Sequence, residues 1–265
     1  MDTNAVLETL HTLKLEGMAT AFEEMLNKTG SRNVDPVEWI KLMAESEDKT
    51  RAERRFHSRL RTAKLRESEA NIGDIDYTTL RQLDRVKFEE LTKCDWIAGH
   101  SSVLITGPCG VGKSYLACAL GHEACRQEKT ALYFRMPRLF QELETARTTE
   151  TYERLFKKII RTDVLILDDW GPDLMTAGQR RDLMEVVDAR YGRKATVITS
   201  QLPVEKWYDV IADPTFADAI LDRLVHSSHR VPLDGPSMRK VNSSANPRKP
   251  SFARMLQEQR HATVG

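Results

Sequence analysis

An eight-residue segment in the middle of the chain has the residue types and spacing of a phosphate-binding loop. The segment reads Gly107-Pro108-Cys109-Gly110-Val111-Gly112-Lys113-Ser114 and matches the pattern Gly-x-x-x-x-Gly-Lys-Ser in full. Its glycines would let backbone N–H groups point at a phosphate, and a helix starting there would add the positive end of its dipole. Lys113 would then reach the β- and γ-phosphates of ATP, and the Ser114 hydroxyl would bind Mg²⁺. We expect these residues, together with the adjoining Tyr115, to form a nucleotide site.

A second motif has two carboxylates at the end of an apolar run. Residues 164–167 read Val-Leu-Ile-Leu and are followed directly by Asp168 and Asp169. If this run is a strand close to the one that leads into the loop, Asp168 would lie next to the metal ion. Asp169 would then orient or deprotonate an attacking water molecule. An aspartate pair at a strand end also caps helices, but the apolar lead-in favours the catalytic interpretation.

Polar residues after a later apolar run are candidates for sensing the nucleotide. The run at 195–199 is followed by Ser200 and Gln201. Either side chain could contact the γ-phosphate or the water, although strand ends are often polar for no functional reason.

An arginine near the last predicted strand is a candidate for action on a neighbouring subunit. Arg223 lies on a predicted helix, where it could reach developing charge in the site of another copy of the chain. A surface ion pair with Asp222 is the alternative. Arg190 and Arg239 are weaker candidates for the same role.

Short apolar runs separated by helical stretches predict the scaffold that holds these residues. The runs lie at 102–106, 131–134, 164–167 and 195–199, with a weaker one at 230–233. This alternation is typical of an α/β domain with a mainly parallel sheet flanked by helices. A run between the loop strand and the acidic strand indicates the P-loop class whose sheet inserts a strand between these two.

The chain before residue 71 has only helical patterns. Residues 4–28 predict helices broken near Gly17, a turn follows at 29–33, and Asp35-Pro36 has the form of a helix start. A long helix then runs towards residue 70. We therefore expect a small all-helical N-terminal domain at 1–70, an ATPase domain at 71–237 and a basic, flexible tail at 238–265.

The long helix carries a concentration of positive charge that the whole-chain net charge of +1 conceals. Residues 51–66 contain a single acidic residue and seven basic ones, namely Arg51, Arg54, Arg55, Arg59, Arg61, Lys64 and Arg66. On a helical wheel most of them share one side, opposite Phe56 and Leu60. This cationic face predicts binding to the phosphates of duplex DNA, whereas a solvated helix surface is the alternative.

Other features exclude some classes of protein. The chain has no apolar run of the roughly 18–20 residues that span a bilayer. Its N-terminus, Met1-Asp2-Thr3-Asn4, lacks the basic and apolar regions of a signal peptide. The four cysteines lack the spacing of a zinc site. We expect a cytoplasmic protein with reduced thiols and no membrane partner.

Taken together, these residues resemble an AAA+ ATPase and, more narrowly, IstB. IstB proteins are ATP-dependent helpers of a bacterial insertion-sequence family and are related to the DnaC helicase loaders. The resemblance covers roughly residues 5–240, and its most specific segments are 13–19 (Leu-Lys-Leu-Glu-Gly-Met-Ala), 165–171 (Leu-Ile-Leu-Asp-Asp-Trp-Gly) and 199–203 (Thr-Ser-Gln-Leu-Pro).

The resemblance implies a homo-oligomeric ATPase that assembles on duplex DNA, selects or remodels a target and recruits the cognate transposase. By analogy Lys113 and Ser114 bind nucleotide, Asp168 and Asp169 are the Walker B pair, Gln201 is the first sensor and Arg223 is the arginine finger. Most AAA+ proteins have Glu where this chain has Asp169, which predicts slow hydrolysis.

One element of the AAA+ pattern is missing from the prediction, and two other functions remain as alternatives. No helical lid is predicted after Leu233, so the sequence does not predict a second sensor. A DnaC-like loader of the replicative helicase would use the N-terminal helices to dock on a protein instead of DNA. A metabolic P-loop kinase would leave the basic segments unexplained.

Overall fold

The computed structural model describes residues 3–27 and 35–238. The strands are β1 (Ser102–Thr106), β2 (Ala131–Arg135), β3 (Val164–Trp170), β4 (Ala195–Ser200) and β5 (Ser228–Pro232). The helices are α1 (Thr3–Thr12), α2 (Glu16–Asn27), α3 (Pro36–Ala63), α4 (Arg85–Thr92), α5 (Asp95–Ala98), α6 (Lys113–Arg126), α7 (Met136–Thr148), α8 (Tyr152–Arg161), α9 (Ala177–Arg190), α10 (Trp207–Ile211) and α11 (Pro214–Val225). None of these helices has both the length and the apolar character needed to cross a bilayer.

The chain divides into two compact units, Met1–Thr62 and Ala63–Gly265. The boundary predicted from the sequence lies after residue 70 instead. The difference arises because Ala63, Leu65 and Ala70 are buried within the second unit. The tail expected at 238–265 and the turn expected at 29–33 fall outside the described residues, apart from Met238.

In the first unit, α1 and α2 are separate helices, which confirms the predicted break near Gly17, although Gly17 itself lies inside α2. The break between α1 and α2 falls instead around Lys14, whose φ is +58°. A side chain at Gly17 would collide with α3, since a Cβ there would lie 2.4 Å from the Ser46 carbonyl oxygen. The buried Glu47 carboxylate accepts a hydrogen bond of 2.8 Å from the Gly17 N–H. The glycine is therefore required for the close contact between α2 and α3.

The start of α3 follows the sequence prediction, and its end does not. The Asp35 carboxylate accepts a hydrogen bond of 3.1 Å from the Val37 N–H, which confirms the predicted helix start. The helix was expected to run towards residue 70 but ends at Ala63. Lys64 has a φ of +53°, a left-handed conformation that a helix cannot continue through.

The second unit contains a parallel sheet with the strand order β2-β3-β4-β1-β5. This arrangement confirms the predicted α/β class. The strand inserted between β1 and β3 is β4, whereas β2, which separates them in the sequence, lies at the edge of the sheet. In such sheets, ligands bind at the carboxyl ends of the strands.

Helices cover both faces of the sheet. Leu165 and Leu167 of β3 pack in a cluster with residues of α7, α9 and α11. The intervening Ile166 faces α6, where a Cβ on Gly121 would lie 2.6 Å from its Cδ1 atom. Because side chains on both faces are buried, the strands consist of nearly continuous apolar runs, the pattern from which they were predicted.

Candidate functional site

The loop between β1 and α6 adopts a conformation that depends on its glycines. Gly107, Gly110 and Gly112 have φ values of +145°, +88° and +94°. L-amino acids with side chains rarely adopt these angles. At Gly107 space is also limiting, because a Cβ there would lie 2.2 Å from the Leu233 carbonyl oxygen. The loop leads directly into the first turn of α6, whose N–H groups are the usual ligands of an anion.

Lys113 is held against this loop. Its side chain is largely buried, with 8% of the residue exposed. The ammonium donates hydrogen bonds of 2.7 Å to the carbonyl oxygens of Gly107 and Pro108. Burial lowers the pKa of Lys113 below its ordinary value, an effect that the nearby Cys109 and Asp168 oppose. A buried cation at this position is suited to a ligand with several negative charges.

Asp168 lies beside Ser114 and is the most tightly held carboxylate of the site. It is 1% exposed, and its Oδ1 atom accepts a hydrogen bond of 2.8 Å from the Ser114 hydroxyl. Thr199 donates a second bond to Oδ1, and the Tyr133 hydroxyl donates to Oδ2 at 2.6 Å. Burial, followed by the bond to Asp168, raises the pKa of Tyr133. A hydroxyl and a carboxylate side by side are oxygen ligands of the kind that Mg²⁺ prefers, so these residues fit the metal of a P-loop site.

Asp169 is turned towards the same region by an irregularity in β3. Leu167 pairs with Ile198 and Trp170 with Ser200, so β3 has one residue more than β4 between these pairs, which defines a β-bulge. Asp169 lies in the bulge with a φ of +67°. Its N–H donates to the Thr199 hydroxyl at 3.0 Å.

Side chains on either side of the bulge fix this conformation and contact the carboxylate. Trp170 is buried and stacks on Trp207 with ring centroids 4.8 Å apart. The Asp169 carboxylate forms an ion pair with Arg135, the last residue of β2. Gln201 reaches Asp169 less closely, at 3.5 Å between Nε2 and Oδ1.

One cavity of about 690 Å³ is lined by Lys113, Ser114, Arg135, Asp168, Asp169 and Gln201. This volume is within the range of about 300–1,000 Å³ that small-ligand sites occupy. The cavity brings together sequence-predicted residues from the loop, the acidic pair and Gln201. Tyr115 also lines it, and its hydroxyl lies 3.3 Å from the backbone of Asn71.

Several lining residues were missed from the sequence. Arg81 is 3% exposed and donates hydrogen bonds of 3.0 Å to the Val111 carbonyl and 2.8 Å to the Asp76 carbonyl. It lies well before β1 in the chain, and no sequence signal connects it to the loop. Arg135 could have been predicted from the sequence. It directly follows an apolar run, and the carboxyl ends of parallel strands meet at one edge of the sheet, where ligands bind.

Among the described residues, neither Arg223 nor Arg190, both proposed to act on a neighbouring subunit, lines this cavity. Arg223 donates from Nε to the Asp188 carboxylate at 3.0 Å and from Nη1 to the Ala219 carbonyl at 2.8 Å. Its ion-pair partner is thus Asp188 and not the adjacent acidic residue in the sequence.

The prediction that Arg190 acts on a neighbouring subunit is wrong. It is buried and donates hydrogen bonds of 2.6 Å and 2.8 Å to the carbonyls of Ile159 and Thr162. Burial lowers the pKa of its guanidinium to about 9. This arginine connects α8, α9 and β4 inside the fold and has no access to another subunit. Arg239 lies outside the described residues.

The basic residues predicted to bind DNA separate into two locations. Arg54, Arg55 and Arg61 are exposed on α3, Arg59 on the same helix is half-buried, and Lys64 is exposed just after it. The first of the group, Arg51, is exposed and pairs with Glu47 at 2.7 Å. Arg66 instead lines the cavity, and its Nη1 atom lies 3.9 Å from Oδ2 of Asp168.

Comparison with protein families gives one match over most of the chain. Residues 8–246 match the model described as IstB-like ATP binding protein. A protein of Sinorhizobium fredii named as the insertion sequence ATP-binding protein y4pL is 48% identical over 240 residues, or 91% of this chain and 98% of the relative. An ATP-binding protein of insertion sequence IS1162 from Pseudomonas fluorescens is 41% identical over 77% of this chain and 88% of that protein. These matches confirm the resemblance seen in the motif segments.

Solved structures show the same fold at low sequence identity. The crystal structure of DnaI has a TM-score of 0.55 and 20% identity, covering 67% of this chain and 93% of DnaI. AMPPCP-bound DnaA from Aquifex aeolicus has a TM-score of 0.55 and 16% identity, covering 69% of this chain and 55% of DnaA. The sheet and its helices therefore form an AAA+ P-loop fold.

Proposed function

Because the chain belongs to the family of IstB-like ATP-binding proteins, we propose that it is an ATPase that assembles on duplex DNA and helps a transposase. The observation that best supports the ATPase part is the hydrogen bond between Ser114 and Asp168, with Asp169 lining the same cavity. The insertion-sequence relatives support the role in transposition.

In the proposed reaction, water attacks the γ-phosphate of ATP, the bond to the bridging oxygen of ADP breaks, and inorganic phosphate leaves. The loop N–H groups and Lys113 hold the phosphates and stabilise the charge of the transition state. Asp169 orients the water and accepts its proton. Gln201, at the edge of the same cavity, is suited to contact the water or the γ-phosphate. Mg²⁺, held by Ser114 and Asp168, would neutralise charge on the phosphates.

Arg223 is the residue that we propose to act between subunits. It lies on α11 and does not line the cavity of its own chain, so contact with a nucleotide would come from a neighbouring copy. Its ion-pair partner Asp188 is 60% exposed, whereas the Arg223 side chain itself is 27% exposed. To contact a neighbour's nucleotide, the guanidinium would have to leave this pair, which solvent on the Asp188 side weakens. The proposed ATPase is therefore slow in an isolated subunit and faster in an assembly.

The exposed arginines of α3 are the proposed contact with duplex DNA, because phosphate contacts give affinity that does not depend on base sequence. The segment 239–265 adds further basic residues for DNA or for the transposase. Chromosomal DNA and ATP as partners imply a cytoplasmic location.

The assembly proposal predicts a change in particle size. With ATP and duplex DNA the purified chain should form large complexes, whereas ADP should leave it mostly dissociated, because only ATP offers the γ-phosphate to a neighbour's Arg223. Light scattering after size-exclusion chromatography measures this directly. A chain that stays monomeric with DNA in every nucleotide state would contradict the proposal and favour a helicase-loader role.

Removing two arginines of α3 should weaken binding to DNA. It should also make the affinity for DNA less dependent on salt concentration. Arg54 and Arg61 are seven residues apart and therefore lie on one side of the helix. In the double variant Arg54→Gln/Arg61→Gln, the slope of log affinity against log salt should fall by about 0.9 for each lost phosphate contact. Titration of a labelled duplex at several salt concentrations measures it, with Lys41→Gln on the same helix as the control. An unchanged slope would show that this face does not contact DNA.

A further inference from the structure

Two arginines of the cavity are paired with the two carboxylates of the acidic motif. Arg135, at the end of β2, has its Nη2 atom in an ion pair with Oδ2 of Asp169. Arg66, in the segment after α3, has its Nη1 atom 3.9 Å from Oδ2 of Asp168. Both guanidinium groups line the same cavity as Lys113.

The two other cations that line this cavity are less exposed and donate hydrogen bonds to backbone carbonyls. Arg81 is buried and donates to the Val111 and Asp76 carbonyls, so its guanidinium supports the loop. Lys113 is also mostly buried and bonded to loop carbonyls. By contrast, the side chains of Arg135 and Arg66 are 53% and 44% exposed. Their long, accessible stems leave both guanidinium groups room to change partner.

The ion pairs that these two arginines make are readily exchanged. Asp168 already accepts hydrogen bonds from Ser114, Thr199 and Tyr133. Arg66 therefore adds only a long contact to a carboxylate that other donors satisfy, and its second pair, with the adjacent Glu67, is also long at 3.7 Å. Arg135 makes the closer pair, but its side chain is accessible to water, which weakens the attraction between the charges.

We propose that Arg66 and Arg135 distinguish ATP from ADP within their own subunit. When ATP binds, both guanidinium groups leave the carboxylates and bind oxygens of the γ-phosphate, whereas with ADP they stay on Asp168 and Asp169. This inference rests on the nucleotide site of the proposed function and adds two ligands from outside the loop.

The chemistry of the groups supports this exchange. The γ-phosphate of a nucleotide held by Lys113 would lie towards Ser114 and the acidic pair, where both arginines are. A phosphate offers three oxygens and more negative charge than a carboxylate, and the planar guanidinium binds it through two parallel hydrogen bonds. The exchange also frees Asp169 to contact water, so a site with ATP becomes competent for hydrolysis as it forms.

The test is equilibrium binding of two ligands to the full-length chain, a non-hydrolysable ATP analogue and ADP. Arg66→Gln and Arg135→Gln should each weaken binding of the analogue by about 10- to 100-fold, the usual effect of losing a hydrogen bond to a charged group. ADP binding should change by less than about twofold. Arg138→Gln is the matched control, because Arg138 is exposed on α7 and pairs with Glu142 at 3.2 Å, away from the cavity.

The outcomes separate this inference from the proposed function. Equal losses for both ligands would mean that the arginines supply only general positive charge and would overturn the inference, as would no loss for either ligand. If a Gln variant fails to fold, Arg66→Lys and Arg135→Lys keep the charge but not the paired hydrogen bonds and should show a smaller loss for the analogue alone. The nucleotide site itself would be refuted by a different result. In that case the unmodified chain binds neither ligand, or Lys113→Ala binds both as tightly as the unmodified chain.

Discussion

Replacing Lys113 with alanine is expected to reduce ATP affinity by about 100- to 1,000-fold, the effect of removing one partner from a buried pair of opposite charges. The ammonium is the cation of the loop itself, is mostly buried, and donates to the Gly107 carbonyl. From the loop it would reach the β- and γ-phosphates of a bound nucleotide. Isothermal titration with ATP measures the loss. Hydrolysis should become undetectable, because the substrate no longer binds at ordinary concentrations.

The matched control for this variant is Lys129→Ala. Lys129 is exposed just beyond the end of α6, so the change removes the same charge from the same unit without touching the cavity. It should bind ATP as tightly as the unmodified chain. If Lys113→Ala still binds ATP within about threefold, well under the effect of a single charged hydrogen bond, the loop is not the nucleotide site.

The second large effect is expected at Asp169, where asparagine should separate binding from hydrolysis. The exchange keeps the size of the side chain and removes its capacity to accept a proton from water. Hydrolysis should fall by about 10²- to 10⁴-fold, the usual contribution of a general base. ATP affinity should not fall, since Asp169 does not bind the loop and its loss leaves Arg135 without a competing carboxylate there. Steady-state phosphate release and titration with ATP measure the two properties separately.

Mixing variants tests the site between subunits. Asp169→Asn subunits retain Arg223, and Arg223→Ala subunits retain Asp169, so only a mixed interface contains both intact groups. With equal amounts and random assembly, roughly a quarter of interfaces would be complete, and about that share of hydrolysis should return on mixing. No recovery from assemblies of normal size would contradict the proposed role of Arg223 in trans.

The parts of the structure that could be predicted are those determined by residue types at neighbouring positions in the sequence. The strands could be located because a parallel sheet covered on both faces requires consecutive apolar residues, as in residues 164–167. The phosphate loop was identifiable because its backbone needs glycine at fixed positions, and these have positive φ angles in the structure. The start of α3 followed from Asp35 and Pro36, whose effects extend over only a few residues.

What could not be predicted depends on residues far apart in the sequence. A helix break near Gly17 could be predicted, but the approach of Ser46, which makes glycine necessary at this position, is invisible in a linear pattern. Arg66 belonged by charge to the cationic helix but lies in the nucleotide cavity, since α3 ends at Ala63. The partner of Arg223 is Asp188, which is 35 residues away and reaches it only after α9 and α11 pack together.

The left-handed conformation of Asp169 restricts which acid the chain can use there. Among residues with side chains, aspartate and asparagine adopt a positive φ more readily than most, because their short polar groups bond to the neighbouring backbone. Glutamate, one methylene longer, would add conformational strain to the bulge that Trp170 anchors. The choice of carboxylate is thus a property of the backbone. An exchange of aspartate for asparagine is therefore expected to remove the proposed hydrolysis and retain nucleotide binding, without a change in the backbone of the strand.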